Sequence, residues 1–139
     1  MTVKKDSSSG DSIERFMPQG AANPVAPYSH ATRWRDLVHV TGQMPFDRGV
    51  DRYVDGPADV QLDACMRNLD IVLKGAGSDW DHVLNVRIYL TDFSAYEAVN
   101  VAYKKWFRPG FLPARTCVGV TGLAGGALVE VDLVAVRAA

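Results

Sequence analysis

From residue 62 to residue 76 the apolar positions fall at Leu62, Cys65, Met66, Leu69, Val72, Leu73 and Ala76. That i, i+3, i+4, i+7 spacing predicts an amphipathic helix. Gly75 and Gly77 are available for its C-terminal cap. The period then changes. Leu84, Val86, Ile88 and Leu90 alternate with Asn85, Arg87 and Tyr89, which predicts a strand with one buried face. Ser94-Ala95-Tyr96-Glu97 has the form of a capping box and opens a second helix. Tyr96, Val99, Tyr103 and Trp106 or Phe107 form its apolar stripe, and Pro109-Gly110 stops it.

Strands flank this central block. Ile13–Phe16 reads as a short edge strand, His30–Trp34 as a strand, Arg35-Asp36 as a turn, and Leu37–Thr41 as the returning strand. Gly42–Pro57 is rich in Gly, Asp and Pro and reads as loop. After the second helix, Thr116–Thr121 and Leu128–Val136 are joined through Gly122 and Gly125-Gly126. The order predicts an α+β domain, a mixed sheet with two helices on one face. In the last strand Val129, Val131, Leu133 and Ala135 make one apolar face, and Leu128, Val134 and Val136 make the other apolar as well. Two helices cover one face of such a sheet. A second copy of the chain is the simplest cover for the other. Residues 1–12, with Ser7-Ser8-Ser9-Gly10, read as a disordered leader, and residues 13–139 as a single domain.

Composition narrows the function. The 139 residues, 47% hydrophobic and 22% charged, suffice for one core. The formal net charge is -1. The densest basic cluster, Arg33-Trp34-Arg35, is followed at once by Asp36 and reads as solvated surface, so a nucleic-acid partner is not expected. No apolar run approaches the ~18 residues of a membrane span. The polar start of the chain lacks a signal-peptide core, which makes the cytoplasm the default location. Cys65 and Cys117 then read as reduced thiols.

Most reactive constellations are missing. His30, His39 and His82 are far apart and sit in no metal-binding frame. No GxSxG elbow is present, and the glycines between Gly119 and Gly126 are explained by a turn. Cys117 reads either as a small buried residue or as a nucleophile. The segment Pro113-Ala114-Arg115-Thr116-Cys117-Val118 stands apart. Arg115 lies at the mouth of an apolar strand, where a guanidinium matches a carboxylate fork. Glu130 sits among apolar neighbours, where desolvation calls for a partner or a raised pKa. If their two strands pair as a hairpin, both residues approach one place, either as a structural ion pair or as a site.

These residues carry a resemblance. Pro27-Tyr28-Ser29, Thr41-Gly42-Gln43, Asn68, Val99-Asn100 with Tyr103 and Phe107, Pro113–Val118 and Val129-Glu130-Val131 together resemble the Rid, or YjgF, family of enamine/imine deaminases over roughly residues 24–137. The resemblance implies a chorismate-mutase-like fold assembled as a homotrimer, with sites in the clefts between subunits. It implies hydrolysis of reactive enamines and imines such as 2-aminoacrylate to a 2-oxo acid and ammonia. No metal or cofactor is expected, because the substrate is intrinsically labile. The carboxylate-gripping arginine maps onto Arg115, and its neighbours onto Tyr28, Thr41, Cys117 and Glu130, with Glu130 in the acid–base role. Gln43 and Asn100 read as structural. Ala26 stands where glycine is usual, His30 where glutamine is usual, and Thr41 where serine is usual. His30 and the Pro45–Pro57 loop are therefore the expected seats of a changed substrate range. The rivals are a small-ligand-binding trimer without turnover, a specialised deaminase of another imine, and a ribonuclease or translation inhibitor. The last lacks a His pair and a basic groove.

Overall fold

In the computed structural model, which describes residues 2–5 and 12–139, nine strands and two helices follow one another along the chain. They are β1 (Thr2–Lys5), β2 (Glu14–Met17), β3 (Ala31–Trp34), β4 (Leu37–Gln43), β5 (Phe46–Asp47), β6 (Arg52–Tyr53), α1 (Ala58–Gly75), β7 (Val83–Leu90), α2 (Tyr96–Lys104), β8 (Ala114–Gly119) and β9 (Val129–Val136). Seven strands form one sheet in the order β1-β2-β3-β4-β9-β7-β8, and β5 and β6 form a small separate hairpin. All pairs in the large sheet are antiparallel except β7 with β8. That parallel pair requires a crossover, and α2 is the crossover helix. The mixed α+β architecture is the expected one.

The core lies between α1 and the sheet. Leu62, Met66, Leu69, Val72 and Leu73 of α1 are fully buried against Val38, Val86, Ile88, Val129 and Val131. Each such side chain contributes about 2 kcal/mol by leaving water. The helix ends in a Schellman motif: Ser78 N–H donates to the Leu73 carbonyl (2.9 Å) and Gly77 N–H to the Lys74 carbonyl (3.1 Å), with Gly77 at φ +83°. Gly77 alone is the cap glycine, since Gly75 is the last helical residue.

Several local expectations are corrected. The leader expected over residues 1–12 to be disordered contains β1, in which Val3 pairs with Phe16 as an added edge strand; of its other residues, 1 and 6–11 lie outside the described residues. The loop over 42–57 holds the β5–β6 hairpin. Arg33 is not solvated surface but buried. It grips Glu14 with two N–H···O contacts (3.0 and 2.9 Å) and donates to the Ala76 carbonyl (2.7 Å), joining β2, β3 and the end of α1. Leu84 is exposed, because the β7–β9 register slips between Val83 and Asn85 and hands its core position to Val83. The capping box is not used. Asp92 caps instead, accepting from Ser94 N–H (3.0 Å) ahead of a 3-10 turn that leads into α2.

The most consequential correction concerns β8 and β9, which do not form a hairpin. β7 lies between them, paired on one side with β8 and on the other with β9. Val86, Ile88 and Leu90 are wholly buried, so β7 takes a central place in the sheet and β8 is left at its edge. The sheet face opposite the helices carries half-buried Val134 and Val136 together with exposed Leu37, Leu84 and Val118, the uncovered apolar face foreseen from β9.

Candidate active site

Register fixes where the candidate residues point. Arg115 pairs with Val86, and Val86 with Leu133, all on the helix side. Glu130 pairs with Tyr89 and is three residues from Leu133, so it points to the opposite face. Two strand spacings, roughly 10 Å, and three residues of stagger, roughly another 10 Å, also separate them. The structural ion pair is thereby excluded within one chain. The candidate residues fall into two groups instead.

The first group gathers on the edge strand. Arg115 and Cys117 share the helix-facing side of β8. The Arg115 guanidinium lies 5.0 Å from the Tyr103 ring centre and 5.7 Å from that of Tyr96, and donates to the Tyr96 hydroxyl (3.1 Å). Two aromatic faces on α2 thus hold the cation in place while leaving most of its donors unused. Beside it, a cavity of about 220 Å³ is lined by Asn100, Tyr103, Lys104, Leu112, Pro113 and Arg115. Asn100 Oδ1 and Tyr103 OH are buried there without a hydrogen-bond partner among the described residues. Burial pushes the Tyr103 phenol up to about 12 against the pull of Arg115, so it stays a neutral donor. Burial also raises the Cys117 thiol, with Arg115 opposing. Cys117 is therefore a thiol at neutral pH, which favours its small-residue reading over a nucleophile. Both cysteines are free.

The second group lies where β4 meets β9. A bulge in β4 between Val40 and Gln43 sets Gly42 beside Glu130. A Cβ on Gly42 would stand 1.9 Å from Glu130 Oε2, so only glycine leaves the carboxylate this seat. Desolvation, then the negative charge of Asp132, holds the Glu130 carboxyl above the usual carboxylate range. Asp132 itself is engaged by Arg87 (2.8 and 2.9 Å) and by the Tyr89 hydroxyl (3.0 Å), which keeps those donors away from Glu130. Tyr28 and Gly42 line a common cavity with His30, which meets the Tyr28 ring edge-on (5.8 Å). Gly42 thus stands against Glu130 and lines a cavity with Tyr28, Thr41 precedes it in the same bulge, and Arg115 and Cys117 share the edge strand.

The fold and the sequence as a whole are similar to known proteins. The family model for endoribonuclease L-PSP matches residues 19–137. The chain belongs to the endoribonuclease L-PSP family. Its relatives in the family include the RutC family protein UK114 of Drosophila melanogaster, 38% identical over 83% of this chain and 83% of that one. Two others are named for an activity: 3-aminoacrylate deaminase RutC of Acinetobacter baylyi (34% identical, 88% of this chain, 96% of that one) and 2-iminobutanoate/2-iminopropanoate deaminase of Mus musculus (32%, 81% and 83%). The crystal structure of the Rid-family protein YyfA from Yersinia pestis superposes with a TM-score of 0.85 at 28% identity, covering 89% of this chain and 98% of that one. The Rid resemblance read from the sequence is thus shown.

Within this family frame, three contributors were not singled out from sequence as site residues. Tyr96 and Tyr103 belong to the apolar stripe of α2 in the sequence pattern, yet they cradle Arg115. The available signal was two tyrosines seven residues apart on one helix face, where aliphatic residues pack as well without a hydroxyl. Asn100, expected to brace α2, instead has its amide oxygen unpartnered beside the same cation. No cluster of three or more His, Cys, Asp or Glu suited to a metal occurs among the described residues. No described helix is long and apolar enough to cross a membrane.

Proposed function

We propose that the protein hydrolyses reactive enamines and imines that carry a carboxylate, 2-aminoacrylate among them, to a 2-oxo acid and ammonia. The observation that carries this reading is Arg115: a preorganised guanidinium, cradled by two tyrosines, with a cavity and unpartnered polar atoms beside it. Such a group suits a carboxylate. The names of the RutC and mouse relatives give the reaction class.

The chemistry needs little from the protein. 2-Aminoacrylate tautomerises to 2-iminopropanoate by moving one proton from nitrogen to the terminal carbon. Water adds to the imine carbon, giving a carbinolamine. A proton passes from its hydroxyl to its nitrogen, the C–N bond breaks, and pyruvate and ammonia leave. Arg115 anchors the carboxylate. Glu130 orients the water and carries the proton, a role helped by a pKa raised toward neutrality. Thr41 and Cys117 offer polar contacts, and Tyr28 walls the site.

Because Arg115 and Glu130 lie on opposite faces of one sheet, a complete site needs two copies. The reading therefore includes a homotrimer in which the Arg115 edge of one subunit closes over the Glu130 trough of the next, burying the uncovered sheet face. The ribonuclease reading draws only on the family's description.

The test is to generate 2-aminoacrylate with a serine dehydratase and follow pyruvate with no added protein, with this protein, and with Arg115→Ala. Acceleration lost in a folded variant supports the reading. Ligand binding without ammonia release by the unmodified protein would replace it with a non-catalytic binder.

A further inference from the structure

The cavity shared by Tyr28 and Gly42 is larger than a one-carbon substituent requires. Its volume is about 280 Å³. A closed apolar cavity on the order of 150 Å³ already holds a benzene ring. Its walls are built and held. Asn68 donates to the carbonyls of Met44 and Phe46 (2.9 Å each), fixing the strand that leads into the hairpin. Phe46 meets Tyr53 edge-on (6.4 Å), and the Tyr53 hydroxyl donates to the Ala124 carbonyl (3.1 Å). On the other side His30 stands against Tyr28, its ring held between the Ala22 carbonyl and the Gln43 amide. The polar atoms of this histidine are thus consumed within the wall, and the apolar side chains of Tyr28, Phe46, Tyr53, Val25 and Met44 share the remaining lining with polar groups. Asp51 at the rim disfavours a second carboxylate on the ligand.

The cavity also adjoins the reacting position. Gly42 lines it while its α-carbon faces the Glu130 carboxylate. An imine carbon placed for attack by water at Glu130 therefore directs its substituent toward Tyr28 and Tyr53.

We propose that this cavity receives the carbon substituent of the imine, so that the preferred substrates are 2-imino acids bearing a ring or a large branched chain. The inference rests on the deaminase reading above and adds the substrate class. Tyr53 is its specificity-determining residue, because its ring lines the cavity together with that of Tyr28 and is held by Phe46 and the Ala124 carbonyl.

The test compares two imines made in situ by a D-amino-acid oxidase, from D-phenylalanine and from D-alanine, since the imine carbon is no longer chiral. Semicarbazide traps surviving imine, and the loss of semicarbazone reports hydrolysis. The ratio of kcat/KM for the two imines is read within each variant, which cancels any loss of folded protein. The expected ratio favours the phenylalanine-derived imine by roughly tenfold or more. It should collapse in Tyr53→Ala and survive in Tyr53→Phe, which keeps the ring and loses the bond to Ala124. A wild-type ratio at or below unity, with the alanine-derived imine hydrolysed, overturns the substrate class and leaves the deaminase reading standing. A ratio lost equally in Tyr53→Phe overturns the role of the ring. Hydrolysis of neither imine defeats both.

Discussion

The β8 edge and the β4–β9 trough carry opposite charges and are built on opposite plans. At the edge, the Arg115 guanidinium has its position set by aromatic faces, with the buried Asn100 Oδ1 and Tyr103 OH of the same cavity unpartnered among the described residues. In the trough, Glu130 is seated by the absence of a side chain at Gly42, and desolvation and the charge of Asp132 hold its carboxyl above the usual carboxylate range. The fold keeps the two residues on separate faces, so neither neutralises the other. A cation and a carboxylate that met within one chain would form a salt bridge and lose the capacity to bind and to transfer protons.

Removing the cation should have the largest effect. Arg115→Ala leaves the substrate carboxylate unpaired in a desolvated site, a loss of about 3–5 kcal/mol, or roughly a hundred- to several-thousand-fold in kcat/KM. Steady-state kinetics on 2-aminoacrylate, with circular dichroism as a folding control, checks it. Glu130→Gln keeps the shape and removes the proton carrier. Its expected cost is about a hundredfold in kcat with a smaller change in KM. Gly42→Ala moves the acid without deleting it. The new methyl group displaces the flexible end of Glu130 while the backbone at residue 42 accepts alanine, so the fold should persist and kcat should fall by roughly ten- to a hundredfold. Cys117→Ala should change kcat/KM by no more than about threefold, because its thiol is protonated at neutral pH.

The smallest effect is on stability, and its sign follows from Glu130. Its pKa is higher in the folded chain than in the unfolded one, so protonation favours the folded state. That advantage is complete below the ordinary glutamate pKa and disappears as pH rises through the raised value. Glu130→Gln should therefore melt above the wild type at pH 7 by about two degrees, a modest figure because the carboxyl is only half-buried. The gap should close toward pH 4. Melting curves at the two pH values measure it.

How much of this was legible before the structure depends on the range of the interaction. α1 was readable because its seven apolar positions obey one local period. The double-faced β9 was readable because alternation shows both of its faces at once, and the sheet does leave one uncovered. Arg115 and Glu130 stood out as charges among apolar neighbours. Their separation did not, since it depends on β7 entering between two strands that follow one another in sequence. Arg33 was misread for the same reason: its partners Glu14 and Ala76 lie 19 and 43 residues away. At Leu84 the period was read correctly, and a bulge defeated it. The aromatic cradle of Arg115 was hidden because a tyrosine packing against a core and a tyrosine holding a cation leave the same mark on a helical stripe.

The central claim is that the two regions meet only between copies of the chain. Arg115→Ala and Glu130→Gln proteins, each expected to keep about a hundredth of the activity or less, can be unfolded together and refolded as mixed oligomers. In a cyclic trimer mixed at random in equal amounts, roughly one quarter of the clefts receive an intact arginine from one subunit and an intact glutamate from its neighbour. Recovery of about that share of wild-type deaminase activity is the predicted result. Mixed oligomers that form and remain inactive would contradict the account, because the two residues would then have to act within a single chain.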